Sequence, residues 1–334
     1  MLVGDIIKEY LEKFPDAPSH TLSRMIYADN KELFSTVETV RSALRYYRGS
    51  TGDNARGKRK RSNGEKYFKA AGTSFKKLPK GITTLTGFKN FRITGDHRIL
   101  ILSDAHIPFH NKAALELAVK HGSKFEPDIL LLNGDWADHY SQSRWQTDPR
   151  LRNFKKEIET VLLSFEWLRE VFPTTRIIYK IGNHEERYEN YMELKAPELL
   201  GINKFDLATV FEFDKYGIEL VSDKRPIKAN ELYIIHGHEY RQAFFNPVNP
   251  ARGLYLRAKV NALCSHYHQS SSHSESDLDD KYTGCWSIGH LADPHPKYMP
   301  LNKWNWGFGE VETNGNKYFQ VMNYKIIDNK VYRA

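Results

Sequence analysis

The stretch Ile99-Leu-Ile-Leu-Ser-Asp-Ala-His-Ile107 decides the reading of this chain. Four consecutive apolar residues, Ile99 to Leu102, predict a strand buried on both faces. Asp104 and His106, side chains of metal-ligand type one residue apart, follow at its carboxyl end. In open α/β sheets the chemistry collects at the carboxyl ends of strands. The same grammar recurs along the chain. Ile129–Asn133 precedes Gly134-Asp135-Trp136-Ala137-Asp138, and Arg176–Ile181 precedes Gly182-Asn183-His184-Glu185. Glu231–Ile235 precedes His236-Gly237-His238, and Ala262–Cys264 precedes Ser265-His266-Tyr267-His268. Five strand ends are therefore expected to set Asp, Asn or His along one edge of a sheet.

Asp-x-His, Gly-Asp-x-x-Asp, Gly-Asn-His-Glu, His-Gly and x-His-x-His, in that order, resemble the calcineurin-like metallophosphoesterase superfamily over roughly the last two-thirds of the chain. One such residue alone also suits a loop polar group or a core histidine; the ordered set does not. The resemblance implies an α/β fold, a four-layer α/β/β/α sandwich with two sheets face to face and helices outside. It also implies two divalent cations, which screen a phosphoester's anionic oxygens and convert a bridging water to hydroxide for the attack. Carried over position by position, Asp104, His106 and His268 go to one metal. Asn183, His236 and His266 go to the other, and Asp135 bridges. Mixed oxygen and nitrogen donors suit Mn²⁺, Fe or Zn²⁺ rather than Ca²⁺ and do not choose among them; Mn²⁺ is the expected occupant, with Fe, Zn²⁺ or Ni²⁺ as alternatives. His184 resembles the family's general acid, and Asp138 the carboxylate that orients it. Arg187 and His238, just beyond motif loops, are candidates for substrate or supporting contacts.

Departures from the pattern narrow the reading. Ser265 replaces the glycine usual before the last histidine pair, which predicts a local backbone adjustment. The Asp-Arg-Gly of Ser/Thr protein phosphatases is absent, since His139-Tyr140 follows Asp138. Gly-Asn-His-Asp, usual in the superfamily's double-strand-break repair nucleases, is Gly-Asn-His-Glu here.

The 334 residues suffice for one large α/β domain plus something small. No apolar run approaches the about 18 residues needed to cross a bilayer. The start, Met-Leu-Val-Gly-Asp, has no basic segment leading into an apolar core, so no signal peptide is expected. Cys264 and Cys285 are too few for a secreted disulfide framework, and a cytoplasmic setting, bacterial or phage-infected, is expected. The net charge of +8 resides in the first 80 residues, with 17 Lys and Arg against 9 Asp and Glu. Such asymmetry predicts a nucleic-acid partner, although a solvated basic segment has the same composition.

Residues 1–50 predict a small helical domain. Helices are expected over 5–14, after Ser19, and after a capping box at Ser35-Thr-Val-Glu38. Arg41, Arg45 and Arg48 then share one face of the third helix, as in a helix-turn-helix module. A docking bundle with a solvated face fits the same pattern. Residues 51–97 read as a basic linker, carrying Arg59, Lys60 and Arg61, and a lead-in with one or two strands. The phosphoesterase domain is expected over 98–334, with helices at Lys112–Lys124, Leu151–Val171 and Glu186–Leu200. Trp286, Trp304 and Trp306 fit core packing, or stacking on a base.

The reading that follows is a metal-dependent phosphoesterase of phage or prophage type, hydrolysing phosphodiesters in DNA or RNA. Two alternatives stand beside it. One is a phosphatase or phosphodiesterase for a small nucleotide or phosphoprotein; the other is a DNA-binding scaffold with a relic metal site.

Overall fold

The structure is a computed structural model that describes residues 2–51, 81–82, 88–240, 248–315 and 317–334. The chain divides into two compact units, Met1–Ile82 and Thr83–Ala334.

In the first unit, α1 (Val3–Lys13), α2 (Ser19–Asp29) and α3 (Val37–Tyr47) surround a core of Ile6, Ile7, Leu22, Ile26, Phe34, Val40 and Leu44. The apolar residues recur at helical spacing, so each helix turns one stripe inward. The cap of α3 lies one residue later than expected. Thr36, not Ser35, accepts the Thr39 N–H at 3.2 Å. Glu38 therefore sits in the first turn and pairs with Arg41 at 3.3 Å instead of closing a capping box. Gly49 follows the helix with φ +71°, the left-handed turn that favours glycine. Arg48 also departs from expectation. Its guanidinium donates to Ser19 Oγ at 2.9 Å and Ala17 O at 2.5 Å, fastening the end of α3 to the start of α2.

The second unit opens with β1 (Phe91–Ile93), β2 (His97–Leu102), α4 (Lys112–Phe125), β3 (Ile129–Asn133), α5 (Phe154–Val171), β4 (Arg176–Lys180) and α6 (Glu185–Lys195). Then come α7 (Leu207–Val210), α8 (Phe213–Tyr216), β5 (Ile218–Val221), β6 (Ile227–Ala229), β7 (Leu232–Ile234) and α9 (Pro250–Ala258). It closes with β8 (Ala262–Cys264), β9 (Ser271–Ser276), β10 (Tyr282–Ser287), β11 (Gly307–Asn314), β12 (Tyr318–Ile327) and β13 (Lys330–Arg333). One sheet has the order β13-β12-β11-β2-β3-β4-β5, and the other β1-β6-β7-β8-β10-β9.

The two-residue period of a strand explains the layering. Leu100, Leu102, Leu130, Leu132, Ile177 and Tyr179 point to one side and pack with Leu115, Phe165 and Leu168 of α4 and α5. Their neighbours Ile99, Ile101, Ile129, Leu131 and Ile178 point to the other side and meet Ile227, Leu232, Ile234 and Leu263 of the second sheet. On that sheet's outer face, Ala251 and Leu254 of α9 cover Cys264 and Cys285, both free thiols. The layers are thus α/β/β/α. Truncating a residue such as Leu131 between the sheets would cost about 2–5 kcal/mol.

Other elements shift for local reasons. Asn153 caps α5 by accepting the Lys156 N–H, so the helix starts after Leu151. α6 stops at Lys195, just before Pro197, rather than at Leu200. Lys317–Ile327 holds one long strand, which pairs with β11 beyond the Asn314-Gly315 turn. Phe211, Phe213 and Tyr216 fill the core against Phe165. Among the described residues, no helix is long and apolar enough to cross a membrane.

Candidate metal centre

The five motif turns meet at one place, but not along one sheet. β2, β3 and β4 belong to the seven-stranded sheet, whereas β7 and β8 belong to the six-stranded one. The centre therefore lies where the ends of two packed sheets converge. The turns are tight. Asp104, His106, Asp135, His266 and His268 all hold positive φ, between +50° and +68°. Non-glycine residues there cost on the order of 1 kcal/mol or more each, and such strain clusters at functional sites. Gly134 is required between them: a Cβ there would fall 2.5 Å from His236 Nδ1.

Two donor groups flank Asp135, and a third set, His106, Asp135 and His184, overlaps them. Asp104, His106 and His268 each offer a ligand atom within 4.8 Å of the others, and so do Asp135, His236 and His266. In the first group, His268 Nε2 lies 3.1 Å from Asp104 Oδ1 and 3.2 Å from His106 Nε2. In the second, His236 Nε2 lies 3.2 Å from both Asp135 Oδ2 and Asn183 Oδ1. Asp135 Oδ2 is also 4.0 Å from His106 Nε2, so this one oxygen faces both groups.

The chemistry of the donors fits divalent cations. His236 Nδ1 donates to the Asn133 carbonyl at 2.7 Å, which directs Nε2 at the centre, as a metal-ligating imidazole requires. Burial would raise the Asp104 carboxyl, but the charge of His268 holds it below the usual carboxylate range. Burial likewise opposes ionisation of Asp135, and His236 overrides it, holding Asp135 well below that range. Conversely burial would lower His236, and Asp135 lifts it to about 10. A cation between them would compete for the position that proton holds. Burial, with the charge of His236, pushes His266 down to about 3, leaving it a neutral ligand.

His184 stands beside the centre at the entry to α6. Its N–H donates to Asp135 Oδ1 at 2.9 Å, so the helix start faces the carboxylate. Its Nδ1 lies 2.9 Å from Asp138 O and 3.3 Å from Asp138 Oδ2, and Asp138 Oδ2 also lies 3.3 Å from His106 Nδ1. Burial would raise Asp138; His184 and His106 together hold it low. Arg187 donates to His184 Nε2 at 2.7 Å and to Asp138 O at 3.0 Å. The nitrogen that would serve a leaving group is thus covered by a guanidinium.

Several supporting residues were not singled out from the sequence. The buried Glu185 carboxylate accepts the N–H groups of Asp135, Trp136, Ala137 and Gly182 and the Tyr179 hydroxyl, at 2.6–3.2 Å. Glu239 accepts the N–H groups of His236 and Gly237, and Lys180, fully buried, pairs with it at 2.9 Å. Burial would raise Glu239, but Lys180 brings it down to about 2. Ser265 is more than a backbone adjustment: its Oγ lies 2.9 Å from Asn133 Nδ2 and 3.2 Å from His236 Nδ1. His238 contacts Glu186 Oε1 at 3.1 Å, and Glu186 in turn pairs with Lys224 at 3.1 Å. His139 is buried among Phe154, Tyr188 and Phe211 and is pushed down to about 3 by burial, a packing role.

The remaining candidates divide. Trp286 packs on Phe319, and Trp306 Nε1 donates to Ala292 O at 2.8 Å. Trp304 stands edge-on to His268, with ring centroids 4.3 Å apart. Arg41 and Arg45 remain on the surface of the helical unit, while Arg48 is engaged internally. Arg59, Lys60 and Arg61 lie outside the described residues. Residues 1–50 carry seven Lys and Arg and seven Asp and Glu, so the basic excess belongs to 51–80 rather than to the helices.

A carboxylate facing two histidine-rich donor groups, at the end of an α/β/β/α sandwich, defines a metal-dependent hydrolase site. The calcineurin-like phosphoesterase family model matches residues 97–283, and the chain belongs to that family. Gene 54 protein of Mycobacterium phage D29 is 27% identical over 231 residues, 66% of this chain and 90% of that protein. Gene 54 protein of Mycobacterium phage L5 is 27% identical over 146 residues, 42% of this chain and 56% of that protein. The chain thus spans little more than half of the L5 relative. Among solved structures, Vps29 from Cryptosporidium parvum is similar at 14% identity and TM-score 0.40, covering 72% of this chain and 96% of that one. Vps29 from Chaetomium thermophilum follows at 12% identity and TM-score 0.37, covering 71% and 96%.

Proposed function

We propose that the protein hydrolyses phosphodiester bonds in nucleic acid at a centre of two divalent cations, Mn²⁺ foremost. The observation that carries this reading is Asp135, whose Oδ2 faces His236 at 3.2 Å on one side and His106 at 4.0 Å on the other. Asp104, His106 and His268 would hold one cation, Asn183, His236 and His266 the other, and Asp135 both. When bound, such a pair supplies charge screening and an activated water. The rest falls to side chains of this protein. Asp138 fixes the His184 ring through Nδ1. Arg187 covers Nε2 until a phosphate offers its non-bridging oxygens, which suit a guanidinium better than a neutral ring nitrogen. Transfer of Arg187 to the phosphate frees Nε2 to take up a proton from water, and His184, then protonated on both ring nitrogens, delivers that Nε2 proton to the leaving oxygen.

Basic residues in 51–80 and the surface arginines of α3 support a polyanionic substrate. The charge balance of the helices themselves favours a second reading, in which the same centre serves a small nucleotide. Hydrolysis of bis-p-nitrophenyl phosphate and p-nitrophenyl phosphate with Mn²⁺, with single-stranded and duplex DNA as competitors over a salt series, separates the two. Diester turnover inhibited by DNA, less so at high salt, supports the nuclease. Turnover indifferent to DNA moves the assignment to a small substrate, and no turnover with any divalent metal rejects both.

A further inference from the structure

Residues 293–304 form a braced loop beside the metal centre. Asn302 Nδ2 donates to Pro294 O at 2.7 Å and to Met299 O at 2.9 Å, which closes the loop on itself. Its end is fixed to the centre: Trp304 stands against His268, and the Asn305 N–H donates to His268 O at 2.9 Å. At its tip Tyr298 meets Trp304 edge-on, with centroids 6.2 Å apart.

Tyr298 is 72% exposed. Yet surrounding protein, followed by the charge of Asp138 and, further down, of Asp135 and Asp104, pushes its hydroxyl up to about 12. Through Trp304 the ring stands two aromatic contacts from His268, at the edge of the centre. The carboxylates acting on the hydroxyl are those of the metal centre. A large flat ring held there leaves apolar area in water unless a ligand covers it. Next to it Lys297 extends an ammonium, 87% exposed and 3.8 Å from Asp148. An aromatic face beside a cation, at a centre for phosphodiesters, suits a nucleotide: the base has a π-face and the neighbouring phosphate a negative charge.

We propose that Tyr298 is the stacking platform for the nucleobase next to the scissile phosphate, with Trp304 as its backing and Lys297 facing the adjacent phosphate. The inference rests on the phosphodiesterase reading and deepens it, since it makes the substrate a nucleotide whose base is unpaired at that position. Duplex DNA would have to expose the base first.

The test compares thymidine 5′-(p-nitrophenyl phosphate) with methyl p-nitrophenyl phosphate, two diesters with the same leaving group, using the full chain and Mn²⁺. The wild type is expected to prefer the nucleoside ester about tenfold in kcat/KM, within the range of one stacked base. Tyr298→Ala should remove most of that preference, chiefly through KM, and Tyr298→Phe should keep it. No preference in the wild type, or one unchanged in Tyr298→Ala, overturns the proposal. If neither diester is hydrolysed with any divalent metal, it is the phosphodiesterase reading that has failed. Calorimetric titration with thymidine 5′-monophosphate then decides the platform: affinity weakened at least about fivefold in Tyr298→Ala supports it. Equal affinity, or no binding by the wild type, overturns it.

Discussion

The Glu185 carboxylate accepts the backbone N–H of Asp135 at 3.0 Å, joining two loops that are 50 residues apart in sequence. Because Glu185 also accepts the N–H groups of Gly182, Trp136 and Ala137, the loop that carries the facing carboxylate and the loop that carries His184 are tied to one side chain. Glu185→Gln should weaken metal affinity about 10- to 100-fold, as loss of a ligand's supporting partner typically does. Titration of the purified chain with Mn²⁺ checks it; an unchanged affinity would show that the loops hold without the carboxylate.

Lys180 and Glu239 form a buried ion pair behind the His236 turn. Lys180→Met leaves Glu239 buried and unpaired, at an expected cost of about 3–5 kcal/mol. Adding Glu239→Gln to Lys180→Met should recover a large part of that loss. The folded pKa of Glu239 is lowered to about 2 from its ordinary 4.5, so its contribution is present above 4.5 and is lost as pH falls through the window down to 2. Denaturant unfolding of both variants across that window reads the effect.

Glu157 has the opposite sign. Its carboxylate accepts the His139 N–H, and burial, with the charge of Asp138, raises it from 4.5 to about 8. The folded state therefore holds the proton more tightly than the unfolded chain. That contribution is complete below 4.5 and is lost as pH rises through 8. Glu157→Gln keeps the acceptor and removes the titration. The variant should gain stability relative to wild type as pH climbs from 4.5 to about 8, measured by thermal unfolding at each pH. Parallel curves would reject the assignment.

His184→Ala should lower kcat on a diester about 10²- to 10⁴-fold, the range for loss of a general acid, with Mn²⁺ binding little changed. Loss of both together would instead make His184 a ligand, which its place within 4.8 Å of His106 and Asp135 makes a real contrast.

The centre was legible where the chain puts function and fold in the same short stretch. Ile99–Leu102 and Ile129–Leu132 announce two-sided burial by their unbroken apolar run, and the polar residues directly after them lie at the convergence of the sheets. That β7 and β8 belong to a second sheet was not legible at their ends, because a three-residue apolar run does not state its neighbours. The supporting shell was missed for a related reason. A lysine closing the run Arg176–Lys180 reads as surface, although a strand buried on both faces should have flagged it as a buried charge in need of a partner. Glu185 was absorbed into its motif, and its five donors come from backbone and a tyrosine that no sequence pattern marks. Ser35 and Thr36 are equal as caps on paper, and only the start of α3 chooses between them.

Whether Asp135 shares two cations is read by counting metal per chain in the Mn²⁺-equilibrated protein by elemental mass spectrometry. Two equivalents are expected for the wild type, with a clear loss in Asp135→Asn. A wild type that holds one cation or none, or an Asp135→Asn variant that still holds two, would contradict it.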